Sequence, residues 1–135
     1  MTRTIGIGLV GCGVVGTGVL EVLSRNGSLI DERLGAPIEV RHIVVGNPDK
    51  RRSAIVPLDK IRTSIDAVLD DPEVDVVVEL MGGVDAAYDV VRRSLERGKH
   101  VVTANKALLA ERGEELFAIA DARDLDVYYE AAVAG

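Results

Sequence analysis

Three glycines at fixed spacing, Gly11, Gly13 and Gly16, lie in the segment Gly11-Cys12-Gly13-Val14-Val15-Gly16. The apolar run 5–10, Ile-Gly-Ile-Gly-Leu-Val, precedes them and reads as a short buried strand. Behind them Val15, Val19, Leu20 and Leu23 recur at helical spacing. A strand, a Gly-x-Gly-x-x-Gly turn and a helix in that order form a dinucleotide-binding fingerprint. Gly11 permits the tight turn, Gly13 lets backbone approach a pyrophosphate, and Gly16 lets the helix pack close to the strand. The amides and positive dipole end of the helix then hold phosphate oxygens.

The spacing alone is weak evidence in a chain with 14 glycines. Gly6, Gly8 and Gly11 fit it too, but that register leaves almost no strand before the turn. Leu9-Val10-Gly11-Cys12 also has the form of a lipoprotein cleavage box, yet the apolar stretch before Cys12 is too short for one. Cys12 is read as a small filler of the turn rather than a reactive thiol.

A dinucleotide also needs a second strand that ends beside the adenosine ribose, where an acidic side chain favours NAD. The second apolar run, 38–45, ends instead in Gly46-Asn47, with Lys50-Arg51-Arg52 shortly after. Basic side chains such as Lys50 and Arg52 suit a 2′-phosphate, which favours NADP(H). Asp49 keeps NAD(H) possible.

The elements that must position these residues follow from composition and periodicity. The chain has 135 residues, the size of one domain. It holds one Phe, three Tyr and no Trp, so its core must be aliphatic, as in a parallel sheet covered on both faces. A net charge of −6 argues against nucleic acid as the main partner. No run of about 18 apolar residues suggests a membrane span. One cysteine excludes an internal disulfide framework and fits the reducing cytoplasm.

Segment 26–37, with Gly27, Gly35 and Pro37, reads as a polar surface excursion. A short helix is expected over 64–70, with Thr63 or Ser64 as cap, then a Val-rich central strand over 74–80. A helix over 85–97 shows one face of Ala87, Val90, Val91, Ser94 and Leu95, and Gly98 stops it. Strand 100–103, a helix opening at Glu114-Glu115 and running to about 123, and strand 126–129 complete the pattern. Alternating strands and helices give an α/β fold: a doubly wound, Rossmann-type parallel sheet with helices on both faces. Right-handed crossovers then set Gly13, Gly82 and Thr103 along one rim. His42 and His100 have no metal spacing and are read as structural, and Asp70-Asp71 and Glu114-Glu115 as solvated or helix-end charges.

The segment Gly98-Lys99-His100-Val101-Val102-Thr103-Ala104-Asn105-Lys106-Ala107-Leu108-Leu109-Ala110 is much more specific than the glycine turn. It resembles the signature of the homoserine dehydrogenases. The resemblance continues through Val76-Val77-Val78-Glu79-Leu80-Met81-Gly82-Gly83 and Glu130-Ala131-Ala132-Val133-Ala134-Gly135. Related sugar oxidoreductases share Gly-Lys-His-Val but continue with Glu-Lys-Pro. The resemblance implies NAD(P)-dependent, reversible hydride transfer between aspartate β-semialdehyde and L-homoserine.

On the same ground, Lys106 is implied to be the catalytic, proton-handling residue near the nicotinamide. The chemistry is sound: hydride delivery to an aldehyde creates an alkoxide, which an ammonium stabilises and protonates. Thr103 and Gly82 match positions at the nicotinamide end, and Val14 and Val15 match positions whose backbone meets the pyrophosphate. Glu130, with the carbonyls of Val133 and Gly135, matches a monovalent-cation (Na+) site whose oxygen ligands suit a hard ion.

Residues 1–135 are therefore expected to be a dinucleotide-binding domain, the cofactor half of a longer enzyme. The family's C-terminal catalytic and dimerisation domain would follow, and a homo-oligomer is implied. Alone, the chain is expected to bind cofactor weakly and to turn over little homoserine. Two alternatives stay open: another nicotinamide oxidoreductase of sugars or amino acids, and a non-catalytic NAD(P)-binding module.

Overall fold

A computed structural model describes residues 4–11 and 13–129. In chain order the elements are β1 (Ile5–Val10), α1 (Val14–Leu34), β2 (Ile38–Val44), a 3₁₀ turn (Leu58–Lys60), β3 (Ile61–Arg62), α2 (Asp66–Leu69), β4 (Val76–Glu79), α3 (Asp85–Glu96), β5 (His100–Thr103), α4 (Lys106–Ala122) and β6 (Val127–Tyr129). The strands form one sheet in the order β3-β2-β1-β4-β5-β6, and every pair is parallel. That is the doubly wound arrangement the alternation predicts, with β1 and β4 meeting where the winding reverses direction.

Two aliphatic clusters line the two faces. Leu20 of α1 packs with Leu9, Ile43 and Val78 on one face. Val91 and Leu95 of α3 and Leu108 and Leu116 of α4 pack with Val77 and Val101 on the other. The strand alternation explains the split: Val77 and Val78 point to opposite faces and both are buried. The face of α3 is the one expected from its periodicity, since Ala87, Val90, Val91, Ser94 and Leu95 are all buried. Gly98 stops that helix at φ +78°, with the Lys99 N–H returning to the Ser94 carbonyl at 3.0 Å.

The glycines of β1 have a packing cause. A Cβ at Gly6 would stand 1.8 Å from the Glu73 carbonyl oxygen, and one at Gly8 would stand 2.7 Å from Val68. Segment 68–75 thus crosses β1 at backbone distance. These glycines serve the packing of the strand, and Gly11 is the first glycine of the turn that follows it.

Several expectations are corrected. Segment 26–37 lies at the surface, with Asn26, Glu32, Gly35 and Pro37 exposed, but most of it is helix: α1 continues to Leu34, with a kink at Asn26 (φ −117°, ψ 17°), and the chain turns at Gly35 (φ +72°). Asn26-Gly27 thus kinks the helix instead of ending it. Helix α4 begins at Lys106, not at Glu114-Glu115, because Asn105 caps it. Gly113 then lies inside the helix and is buried, with Leu109 and Phe117 beside it. Strand β3 was not anticipated, being only two residues paired to the end of β2. The cap position of α2 is Ile65 rather than Thr63 or Ser64, with no side-chain cap, although the Ser64 hydroxyl accepts the Asp66 N–H at 3.1 Å.

Asp71 is not a solvated charge either. Its Oδ2 accepts from Arg41 Nε at 2.8 Å and lies 2.8 Å from His42 Nε2. Lys99, buried beside it, donates to the Asp71 and Val74 carbonyls. This cluster braces the loop before β4 and the start of β5. His100 is structural as expected, its Nδ1 accepting the Asp126 N–H at 3.1 Å. Burial opposes ionisation of Asp71, but hydrogen bonds from Arg41, the Glu73 N–H and His42 outweigh it and hold the carboxyl at about 2. A depressed carboxyl stabilises the fold above its unfolded pKa and loses that contribution as pH falls through the folded value. Urea denaturation from pH 5 to 2 should therefore show on the order of 1–2 kcal/mol lost between about pH 4 and 2, and Asp71→Asn should remove that component.

Candidate cofactor site

The turn after β1 starts where the sheet's ladder ends. The Gly11 N–H donates to the Val44 carbonyl at 2.8 Å, and the Leu80 N–H to the Val10 carbonyl at 2.9 Å. Gly11 has φ +96°, and a Cβ there would meet Leu80 backbone at 3.2 Å. Both facts require glycine for the turn itself. Gly13 differs: its added Cβ would meet nothing within 4 Å. The space above it is open, as close approach of a ligand to backbone requires. Gly16 is buried in the first turn of α1, and the Thr17 N–H closes that turn on the Gly13 carbonyl at 2.9 Å. The earlier amides of α1 have no partner within the helix.

A cleft of about 500 Å³ opens from this turn, within the range of small-molecule sites. Gly11 and Gly13 line it with Asn47, Lys50 and Arg52 from the loop after β2 and Met81 from the turn after β4. The glycine turn and the basic residues therefore meet at one site. The two cations differ in use. Arg52 folds back on its own loop, donating to the Asn47 carbonyl at 2.7 Å and the Lys50 carbonyl at 3.0 Å, and its buried Nε has no partner among the described residues. Lys50 is exposed and, among the described residues, has no ion-pair partner. Asp49 does not line the cleft; its N–H donates to Asn47 Oδ1, which closes the loop.

Gly82, Thr103 and Lys106 stand farther along the same rim, after β4 and β5, outside this cleft. Lys106 is the first residue of α4, and its side chain is exposed. A cation there faces the positive end of a helix dipole, an unfavourable place without a functional or structural partner. Among the described residues no carboxylate pairs with it. Thr103 is fully buried, and its hydroxyl donates to Glu79 at 2.6 Å.

Sequence reasoning missed two residues here. Glu79 is fully buried at the end of β4 and accepts both the Thr103 hydroxyl and the Met81 N–H, the latter at 2.7 Å. Burial pushes its carboxyl up, against hydrogen bonds from Thr103, Met81 and Asn105. Asn105 caps α4 by accepting the Leu108 N–H at 3.0 Å, and its amide donates to the Gly83 carbonyl at 2.6 Å. The signals were present: a charge inside a Val-rich strand has to be satisfied, and Asn before a helical run is a cap. Val14 and Val15 begin α1, beside the turn. Glu130, Val133, Gly135 and Cys12 lie outside the described residues. Among the described residues no cluster of His, Cys, Asp and Glu suits a metal, and no helix is long and apolar enough to cross a membrane.

A parallel sheet of this order, with a glycine turn and helix N-terminus at its switch point, defines a dinucleotide-binding domain. Residues 11–130 match the family model described as homoserine dehydrogenase, NAD binding domain, and the chain belongs to that family. It is 45% identical to the homoserine dehydrogenase of Pseudomonas aeruginosa, over 98% of this chain and 30% of that protein. With the Bacillus subtilis enzyme the identity is 38%, over 98% of this chain and 31% of the relative. The homoserine dehydrogenase structure from Thiobacillus denitrificans superposes with a TM-score of 0.91 at 45% identity, covering 97% of this chain and 30% of that one. The Staphylococcus aureus enzyme gives 0.90 at 32% identity, covering 97% and 33%. The chain thus spans about a third of the length of the relatives it matches.

The two kinds of glycine separate by experiment. Gly13→Ala should shift the melting temperature by less than about 2 °C, since no atom opposes the new methyl, yet weaken NAD(P)H binding at least about tenfold. Gly6→Ala should destabilise the fold by about 2 kcal/mol or more. Thermal melts and nicotinamide-fluorescence titrations read both.

Proposed function

We propose that this chain is the cofactor-binding portion of a homoserine dehydrogenase. The whole enzyme would interconvert aspartate β-semialdehyde and L-homoserine by hydride transfer with a nicotinamide dinucleotide. The observation that carries this reading is an exposed lysine, Lys106, opening a capped helix on the rim that begins at the phosphate turn. The residues fit the cofactor: open space over Gly13 and a cleft of about 500 Å³ lined by the glycine turn and by Lys50 and Arg52.

In this reading Gly11, Gly13, Val14, Val15 and Gly16 offer backbone to the pyrophosphate, and Gly82 and Thr103 border the nicotinamide end. The bound nicotinamide supplies or takes the hydride. The Lys106 ammonium stabilises the alkoxide that forms at the substrate carbon and gives its proton to that oxygen; in the reverse direction the amine takes it back. The remaining two-thirds of a relative-sized enzyme would complete the substrate pocket and the homo-oligomer. A monovalent cation held by Glu130 and the Val133 and Gly135 carbonyls belongs to the same proposal.

NADP(H) is the favoured cofactor, and Lys50 is the residue we assign to its 2′-phosphate. Lys50 lines the cleft and, among the described residues, has no ion-pair partner, whereas Arg52 is committed to loop carbonyls and acts by shaping the loop.

Two results would test these assignments in the full-length enzyme. Lys106→Ala should lower kcat by about 10²- to 10⁴-fold in homoserine oxidation, with a much smaller change in cofactor affinity. A variant with wild-type turnover would sink the catalytic role. Lys50→Ala should raise KM for NADPH about tenfold and leave NADH nearly unaffected, an ion-pair loss on the order of 1.4 kcal/mol. Equal effects on both cofactors would remove the 2′-phosphate assignment.

A further inference from the structure

Glu79 is the one acidic side chain in the described core with no exposure, and among the described residues it has no cationic partner. A buried carboxylate is costly in an apolar setting, and a hydrophobic residue of similar size is usually no worse for stability. Its contacts indicate a different use. One oxygen accepts the Met81 N–H at 2.7 Å, which fixes the turn after β4. The other accepts the Thr103 hydroxyl at 2.6 Å, at the end of β5.

Thr103 passes the constraint on. Its oxygen accepts the Asn105 N–H at 3.0 Å, so its proton is directed at Glu79. Asn105 then closes the circuit, capping α4 through Leu108 and donating to the Gly83 carbonyl at 2.6 Å. Both turns of the rim, 80–84 and 104–106, are thereby tied to one carboxylate. Lys106 is the next residue after the cap.

The polarity of the circuit matters as much as its shape. Donors from Thr103, Met81 and Asn105 converge on Glu79, so both of its oxygens must be acceptors. Glutamine keeps the size but replaces one acceptor with an amide donor. That group would meet a donor, either Met81 N–H or the Thr103 hydroxyl.

We infer that Glu79 is a positioning residue: its carboxylate sets the stance of Lys106 relative to the turn at Gly82-Gly83. The inference rests on the proposed role of Lys106. It predicts that Glu79 acts on turnover through Lys106 and hardly on cofactor binding.

The test uses the full-length enzyme with homoserine and NADP+, with Glu79→Gln, Lys106→Ala and the double variant. Glu79→Gln should lower kcat by about 10- to 100-fold while NADPH affinity moves less than about threefold, because small misplacement of a reacting group costs rate more than binding. On the Lys106→Ala background the same substitution should cost nothing further. An equal loss on both backgrounds would show independent action and overturn the inference. Wild-type kcat in Glu79→Gln, with Lys106→Ala impaired, would overturn it while leaving the Lys106 role standing. Wild-type kcat in Lys106→Ala would remove both. Should Glu79→Gln fail to fold, Thr103→Val breaks the same circuit, and its kcat loss must likewise vanish on the Lys106→Ala background.

Discussion

The backbone ladder of β1 is the constraint on which the rest of the domain depends. It pairs with β2 on one side and β4 on the other, and both ladders run on past its last residue to Gly11 and Leu80. Every amide of a central parallel strand must be satisfied, so the three strands end together. The glycine turn begins where the ladder stops, and the loops after β2 and β4 have no choice but to stand beside it. The cleft is the gap between those three departures. Its walls were set by hydrogen bonding before any ligand chemistry entered.

Close approach follows from the same strand. Segment 68–75 lies over Gly6 and Gly8 at distances no side chain tolerates, and the Asp71 cluster with Arg41, His42 and Lys99 secures it there. That cluster stands at the amino ends of the strands; the Glu79 circuit stands at the carboxyl ends. The domain thus keeps its polar interior at the two ends of an otherwise aliphatic sheet. One end holds the fold together and the other arranges the rim. Separation of this kind lets the rim carry an unfavourably placed cation, Lys106, without exposing the core.

Legibility in the sequence tracked the range of the interactions. The turn at Gly11, the apolar face of α3, its stop at Gly98 and strand β5 are decided within a few residues, and periodicity or turn chemistry reveals them. Misreadings arose where neighbours across the fold overrule local preference. Asn26-Gly27 looks like a helix end, yet α1 bends and continues. Glu114-Glu115 looks like a helix start, yet α4 runs from Lys106, with Gly113 buried inside it beside Leu109 and Phe117. Two residues of β3 exist as a strand only because β2 offers an edge. Asp71 reads as an exposed turn charge until Arg41 and His42, about 30 residues earlier, arrive beside it.

For the site, the residue types and spacing of the glycine turn and of Thr103-Ala-Asn-Lys106 were enough to mark the cofactor chemistry and the family. The first is local because Gly11 must hold a backbone shape that few residues adopt, and the second because Asn105 caps the helix that follows it directly. What the tertiary structure alone decided is the division of labour among them. It folds Arg52 onto its own loop while Lys50 stays exposed, turns Thr103 inward, and links Glu79 through Thr103 to Asn105, the cap of the helix that opens with Lys106. Those outcomes depend on contacts between side chains 20 or more residues apart, or on which loop carbonyl lies nearest a guanidinium, and a linear pattern contains neither distance.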